Sequence, residues 1–336
     1  MAVRVAINGF GRIGRLTMRA AFEADRKDLE VVAINDLGPV EANTYLLKYD
    51  SVHGPFPGKV RASGNSGMVV GNRLVKVLSE RDPGKLPWGD LGVDVVLECT
   101  GRFTKKEQAI KHIEAGAKRV LISAPATNVD LTVVYGVNHD KLTKKHTVVS
   151  NASCTTNCLA PVASVLHKVI GIERGYMTTV HAYTGDQRLV DTMHSDMRRS
   201  RAAAESMIPT STGAARAVAL VLPALKGKLD GTAIRVPTAN VSMIDFTFTS
   251  KRKTSPQEIN NAMVKASKGM MEGILAVTDE QLVSIDFNHN PASATFDLTQ
   301  TQVIEERFCR VLAWYDNEWG FSNRMCDTAL RMGKLK

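Results

Sequence analysis

The segment Gly9-Phe10-Gly11-Arg12-Ile13-Gly14 constrains this chain more than any other. A bare G-x-G-x-x-G is a weak pattern, but its context here is specific. It follows the apolar run Val3 to Asn8 at once and opens Arg12 to Ala24, where Ile13, Leu16, Ala20 and Ala24 fall on related helical turns. A second apolar run, Leu29 to Ile34, ends in Asn35-Asp36, and Asp36 lies 22 residues beyond Gly14. Strand, glycine turn, helix, strand and acidic residue in that order are what a dinucleotide-binding unit requires. Gly9 permits the tight turn, Gly11 lets a pyrophosphate approach the backbone, and Gly14 lets helix and strand pack closely. The helix N-terminus then offers free N–H groups to the phosphates. Asp36 suits a pair of ribose hydroxyls and repels a 2′-phosphate, so NAD is expected rather than NADP.

The same alternation continues through the first half. Val93 to Cys99, Arg119 to Ser123 and His146 to Ser150 read as strands, Lys105 to Ala115 as a helix, and Gly116 as its stop. Such alternation implies a parallel sheet covered on both faces. The second half changes character. Tyr176 to His181 and Phe308 to Tyr315 are strand candidates. Val241 to Thr249 alternates, with Ile244, Phe246 and Phe248 on one face. Ser255-Pro256-Gln257-Glu258 is a capping box opening a helix with Ile259, Met263, Ala266 and Met270 inward. The expected fold class is therefore an α/β Rossmann domain followed by an α+β domain with a mostly antiparallel sheet. The change near residue 150 has no flexible tether.

Composition narrows the classes of partner. The 336 residues hold 43 Lys+Arg against 34 Asp+Glu, a net charge of +9. That excess favours anionic partners: nucleic acid, a membrane surface or phosphorylated small molecules. The uncharged apolar stretch Ala217 to Leu225 contains Pro223 and falls far short of the roughly 20 residues of a membrane span. The N-terminus runs straight into the glycine turn without a signal core, so a cytoplasmic location is expected. Met197-Arg198-Arg199-Ser200-Arg201 and Lys251-Arg252-Lys253 are basic clusters without interleaved aromatic platforms, so nucleic-acid binding is not supported.

Two residues carry the chemistry. The polar run Ser150-Asn151-Ala152-Ser153-Cys154-Thr155-Thr156-Asn157-Cys158 leads into Leu159, Val162, Ala163, Leu166 and Ile170 at helical spacing. Cys154 thus falls at a helix N-terminus, where the dipole favours a thiolate, a good nucleophile toward an aldehyde carbonyl. Cys154 and Cys158 share a helical face but have no further ligands near them, so no metal is expected. His181 ends a strand and enters the polar loop Ala182 to Gln187, a suitable position for a base.

Asn8 to Arg15, Ser150 to Pro161, Ile208 to Ala215 and Trp314-Tyr315-Asp316-Asn317-Glu318 together resemble phosphorylating glyceraldehyde-3-phosphate dehydrogenase, in the family's order and over essentially the whole chain. The resemblance implies a C-terminal helix that returns to the nucleotide-binding domain. Residues 1–153 and 317–336 would then form that domain and 154–316 the catalytic one. It implies NAD as cofactor, glyceraldehyde 3-phosphate and inorganic phosphate as substrates, and a homotetramer. It makes Cys154 the nucleophile and His181 its base and later acid. Arg12, Ile13, Asp36, Arg81, Ser123 and Asn317 match cofactor contacts. Thr184, Asp186 and Arg235 match a site for the substrate phosphate; Ser153, Thr155, Arg199, Thr212 and Gly213 match one for inorganic phosphate. Thr192-Met193 stands where NAD-specific bacterial members commonly carry Leu-Pro, and Ala239 where the family usually has a second proline. Asp286-Phe287-Asn288-His289 and the segment Asn317 to Met325 are similar to the sister enzyme erythrose-4-phosphate dehydrogenase. The sister usually lacks the threonine of Thr184 and the Thr-Gly of 212–213, so these favour the glyceraldehyde enzyme.

Overall fold

The computed structural model describes residues 2–335. Its residues divide into two compact units, 2–135 with 139–153 and 322–335 in the first, and 136–138 with 154–321 in the second.

The first unit is built on a nine-stranded sheet. Strands Arg73–Leu78, Leu29–Asn35, Val3–Asn8, Val95–Glu98, Arg119–Ile122, Val148–Ser150 and Leu131–Thr132 lie side by side and pair in parallel. Val5, Ala6, Ile7, Val95, Val96 and Leu97 have no exposed surface, the mark of central parallel strands covered on both faces. Several elements of this unit went unread in the sequence, among them strands Arg73–Leu78 and Leu131–Thr132. Helix Val40–Lys48 was also unread, as were the short antiparallel strands Val60–Ala62 and Gly67–Val70, which extend one edge of the sheet. The segment expected as one helix over 105–115 is two short turns, Lys106–Ala109 and Lys111–Glu114. Gly116 follows at φ +98°, and a Cβ there would meet Gly89 N at 2.6 Å.

The second unit carries an eight-stranded mixed sheet in which antiparallel pairs dominate. Within it, Ile172–Ala182 is parallel to Leu229–Val236 on one side and antiparallel to Ser242–Ser250 on the other. The alternation read from the sequence is realised: Ile244, Phe246 and Phe248 are buried. Helix Pro256–Ser267 starts at the Ser255 cap, whose Oγ accepts from Glu258 N at 3.3 Å. Met270 departs from the expectation. The helix ends at Ser267, so Met270 leaves the helical stripe and is 61% exposed, while Met271 is buried instead.

The tail helix Trp319–Gly333 buries Met325, Ala329 and Met332 completely. Asn317 to Phe321, expected in the first domain, fall in the second unit. The reason is local. Asp316 Oδ1 accepts from Glu318 N and Trp319 N, His289 stacks on Trp319 with 3.7 Å between ring centroids, and Asn317 Oδ1 accepts from Ser242 Oγ.

Candidate active site

In the first unit the glycine loop is shaped as its pattern requires. Gly9 has φ +90°, and a Cβ there would lie 2.7 Å from Thr100 N. A Cβ on Gly14 would lie 2.2 Å from the Gly9 carbonyl oxygen. Gly11 is the contrast: nothing lies within 4 Å of an added Cβ, so backbone there faces open space. It is also the cap of helix Arg12–Glu23, with no side chain occupying the helix N-terminus. Asp36 accepts from Phe10 N through Oδ2 and from Gly38 N through Oδ1, both at 2.9 Å. Each oxygen retains acceptor capacity for a ribose hydroxyl. These features fit a dinucleotide.

The other cofactor-contact expectations are less uniform. Ile13 is half-buried on the first helical turn. Arg12 Nη1 is held 2.5 Å from the buried Asp50. Arg81 is exposed, and Ser123 N donates to the Glu98 carbonyl.

In the second unit Cys154 is the first residue of helix Cys154–Val169. Its Sγ lies 3.6 Å from His181 Nε2. Burial pushes the thiol up, against the opposing pull of Arg235, of the Thr155 hydroxyl and N–H, and of the N–H of Cys154 itself. Burial, with Arg235 beside it, lowers the imidazole to about 3. Each charge alone is therefore disfavoured. A proton moved from Sγ to Nε2 creates both charges at once, and their attraction offsets part of both penalties.

His181 Nδ1 lies 2.7 Å from the Ala182 carbonyl, which can only accept, and 3.0 Å from Arg235 Nη1, which can only donate. The tautomer that donates from Nδ1 to the shorter of these contacts turns the Nε2 lone pair to Cys154. Parallel pairing of Ile172–Ala182 with Leu229–Val236 sets Arg235 opposite His181. Arg235 Nη1 donates to the Ala182 carbonyl at 3.1 Å and reaches Thr184 Oγ1 at 3.5 Å. Its Nε is buried and has no partner. No carboxylate pairs with Arg235 among the described residues, which suits it to an anionic ligand.

The remaining phosphate-site residues form a second group. Arg199 Nη1 donates to Asp186 Oδ2 at 2.8 Å, and Arg199 Nε to Thr210 Oγ1 at 3.0 Å. Arg199 and Asp186, matched to different phosphate sites by resemblance, thus sit together. Thr212 Oγ1 accepts from Ala214 N, and Gly213 caps helix Ala214–Val221. Ser153 immediately precedes the Cys154 helix, while the Thr155 hydroxyl lies 2.9 Å from Tyr315 OH. Tyr315, Thr179, Thr210 and Asp196 escaped the sequence reading as site residues. Tyr315 and Thr210 had a signal, as members of the segments 314–318 and 208–215.

The basic clusters are partly neutralised locally. Arg201 pairs with Asp191, Arg252 with Glu258 and Lys253 with Glu306. No group of three or more metal-ligating side chains exists among the described residues, and no helix there is long and apolar enough to cross a membrane.

A glycine-loop unit suited to a dinucleotide, and a cysteine–histidine contact beside an arginine with no carboxylate partner, are features expected of an NAD-dependent dehydrogenase. Comparison with known proteins narrows the class. The model for the NAD binding domain of glyceraldehyde 3-phosphate dehydrogenase matches residues 3–106, and that for its C-terminal domain matches 153–317. The chain is similar to the glyceraldehyde-3-phosphate dehydrogenases of Xanthobacter flavus (65% identity over 335 residues) and Cereibacter sphaeroides (60% over 335 residues), each covering 100% of both chains. It is 56% identical to that of Geobacillus stearothermophilus over 330 residues, 98% of each chain. The chain belongs to the glyceraldehyde 3-phosphate dehydrogenase family.

Proposed function

We propose that Cys154 and His181 carry the reaction of this NAD-dependent enzyme, the oxidation of glyceraldehyde 3-phosphate to an acyl phosphate through a thioester on Cys154. The observation that carries this reading is the Cys154 Sγ at a helix N-terminus, 3.6 Å from His181 Nε2. The thiolate adds to the aldehyde carbon while the N–H of Cys154 stabilises the oxygen that becomes negative, and the protonated His181 returns its proton to that oxygen to give the hemithioacetal. Neutral His181 then takes the same hydroxyl proton back as the carbon loses its hydride, and a thioester remains on Sγ. Bound NAD supplies the acceptor for the hydride that leaves the same carbon. An oxygen of inorganic phosphate attacks the thioester and Cys154 leaves as thiolate. Arg12, Ile13, Asp36, Arg81, Ser123 and Asn317 are assigned to the cofactor. Thr184, Asp186 and Arg235 are assigned to the substrate phosphate; Ser153, Thr155, Arg199, Thr212 and Gly213 to inorganic phosphate.

NADH formation from glyceraldehyde 3-phosphate, NAD and phosphate tests the reading. Equal or faster turnover of erythrose 4-phosphate, independent of phosphate, would overturn it. Arg235 allows a sharper test. For Arg235→Ala, kcat/KM for glyceraldehyde 3-phosphate is expected to fall about a hundredfold or more, the scale of a lost charge-assisted contact in a partly buried site. Glyceraldehyde lacking the phosphate should lose far less. Equal losses on both aldehydes would remove Arg235 from the phosphate site.

The homotetramer is supported by a run of exposed apolar side chains on one loop: Leu189 (87%), Val190 (71%), Met193 (91%) and Met197 (82%). A patch of this kind marks a protein interface. Light scattering should give about four times the chain mass of 36.6 kDa. A monomer mass would refute the assembly.

A further inference from the structure

Parallel register places the last residues of three neighbouring strands side by side: Asn8 opposite Asn35 on one flank and opposite Glu98 on the other. All three are at least 95% buried. Their side chains form one directed chain. Glu80 N donates to Asn35 Oδ1 at 2.8 Å, Asn35 Nδ2 to Asn8 Oδ1 at 2.7 Å, and Asn8 Nδ2 to Glu98 Oε2 at 2.6 Å. A second arm reaches the same carboxyl from the opposite side. The indole N–H of Trp88, which can only donate, gives its hydrogen to His112 Nδ1 at 2.9 Å. The proton of the neutral ring must then sit on Nε2, which donates to Glu98 Oε2 at 3.0 Å. Thr100 adds two donors to Oε1, its N–H at 2.8 Å and its hydroxyl. Glu98 therefore accepts from four groups and donates to none, the pattern of a carboxylate. Its only ion-pair partner among the described residues is His112, whose ring this pattern makes neutral; no lysine or arginine pairs with it.

What the carboxylate holds is the dinucleotide cradle. Thr100 N, fixed by Oε1, is the atom a Cβ on Gly9 would strike, so it forms the wall behind the first glycine. Asn35, fixed through Asn8, gives its carbonyl to Gly9 N at 2.8 Å and directly precedes Asp36. We propose that Glu98 is a positioning residue for cofactor binding, its buried carboxylate fixing the glycine loop, the Asp36 loop and the Thr100 loop against one another. The proposal rests on NAD binding by this unit.

The test uses the full chain, with NAD affinity measured by titration calorimetry. Thermal midpoint and the rate at which iodoacetamide alkylates Cys154 without NAD are measured alongside. In Glu98→Gln an amide N–H₂ must face one of the four donors, and NAD affinity is expected to fall about tenfold or more. Alkylation of Cys154, in the other unit, should stay within about twofold. Asn8→Asp alone sets two carboxylates in contact and should be worse. The double variant Asn8→Asp/Glu98→Gln moves the charge by one residue. The carboxylate it places at position 8 can accept from Asn35, from His112 and from the amide it places at position 98, and most of the lost affinity should return. If Glu98→Gln does not fold, Thr100→Val, which removes one donor and keeps the shape, should still weaken NAD binding several-fold with unchanged alkylation. Wild-type NAD affinity in a folded Glu98→Gln or Thr100→Val variant overturns the proposal. So does a double variant no better than the singles, or a parallel loss of Cys154 reactivity. A wild-type chain that binds no NAD in the same titration would instead refute the cofactor assignment.

Discussion

Cys154→Ser is expected to lose dehydrogenase activity by about 10⁴-fold or more, as removal of a covalent nucleophile does, while NAD affinity stays within a few-fold of wild type. Serine keeps the size and the hydrogen-bonding neighbours of the side chain. What it lacks is an anion accessible near neutral pH. The other thiols cannot substitute. Cys158 lies one turn further along the same helix and is completely buried, and burial together with the nearby Cys154 pushes its thiol well above the ordinary range. Burial raises Cys99 and Cys326 to about 12 and Cys309 to about 11. Iodoacetamide at neutral pH should therefore label one site quickly, and peptide mass spectrometry should find that label absent from the Cys154→Ser variant. Retained turnover, or fast labelling of another cysteine, would remove Cys154 from the nucleophile's role.

The parts of this site that were legible in the sequence are those where backbone geometry restricts the residue type. Gly9 and Gly14 could be read because a Cβ at either position would collide with backbone, and Asp36 because it closes the neighbouring parallel strand. Cys154 could be read because small polar residues giving way to helical spacing mark a helix start. Contacts set by tertiary register were another matter. Nothing local tells that Tyr315 OH stands 2.9 Å from Thr155 Oγ1, 160 residues away. The Asp186–Arg199 pair closes within a loop that has no hydrophobic period to place it. The missed strands Val60–Ala62 and Gly67–Val70 are three and four residues long, too short for alternation to register. Met270 was misplaced because helical spacing continues in the sequence beyond Ser267, where the helix stops. Even the domain boundary was decided by side chains the pattern could not see: Asp316 capping the tail helix and His289 stacked on Trp319.

His181→Asn is expected to lower kcat by about 10² to 10⁴-fold, the usual contribution of a positioned general base, and to change the pH dependence of Cys154 in a defined direction. On the proposed mechanism the sulfur gives its proton to His181 Nε2, 3.6 Å away, and the two charges form together. The variant has no acceptor there. Cys154 must then ionise alone in a pocket where burial raises its pKa, partly countered by Arg235 and the helix N–H groups. The thiolate is the form present above the pKa, so a raised value moves reactivity to alkaline pH. Alkylation by iodoacetamide, followed from neutral to alkaline pH, should be nearly flat at neutral pH in the wild type. In the variant it should be slow there and climb steadily on the alkaline side. Asparagine retains a hydrogen-bonding side chain of similar size, and NAD affinity should be preserved, which separates this effect from unfolding. If the variant alkylates at neutral pH as fast as the wild type, the thiolate does not depend on His181. The activation of Cys154 would then rest on Arg235 and the helix N-terminus alone.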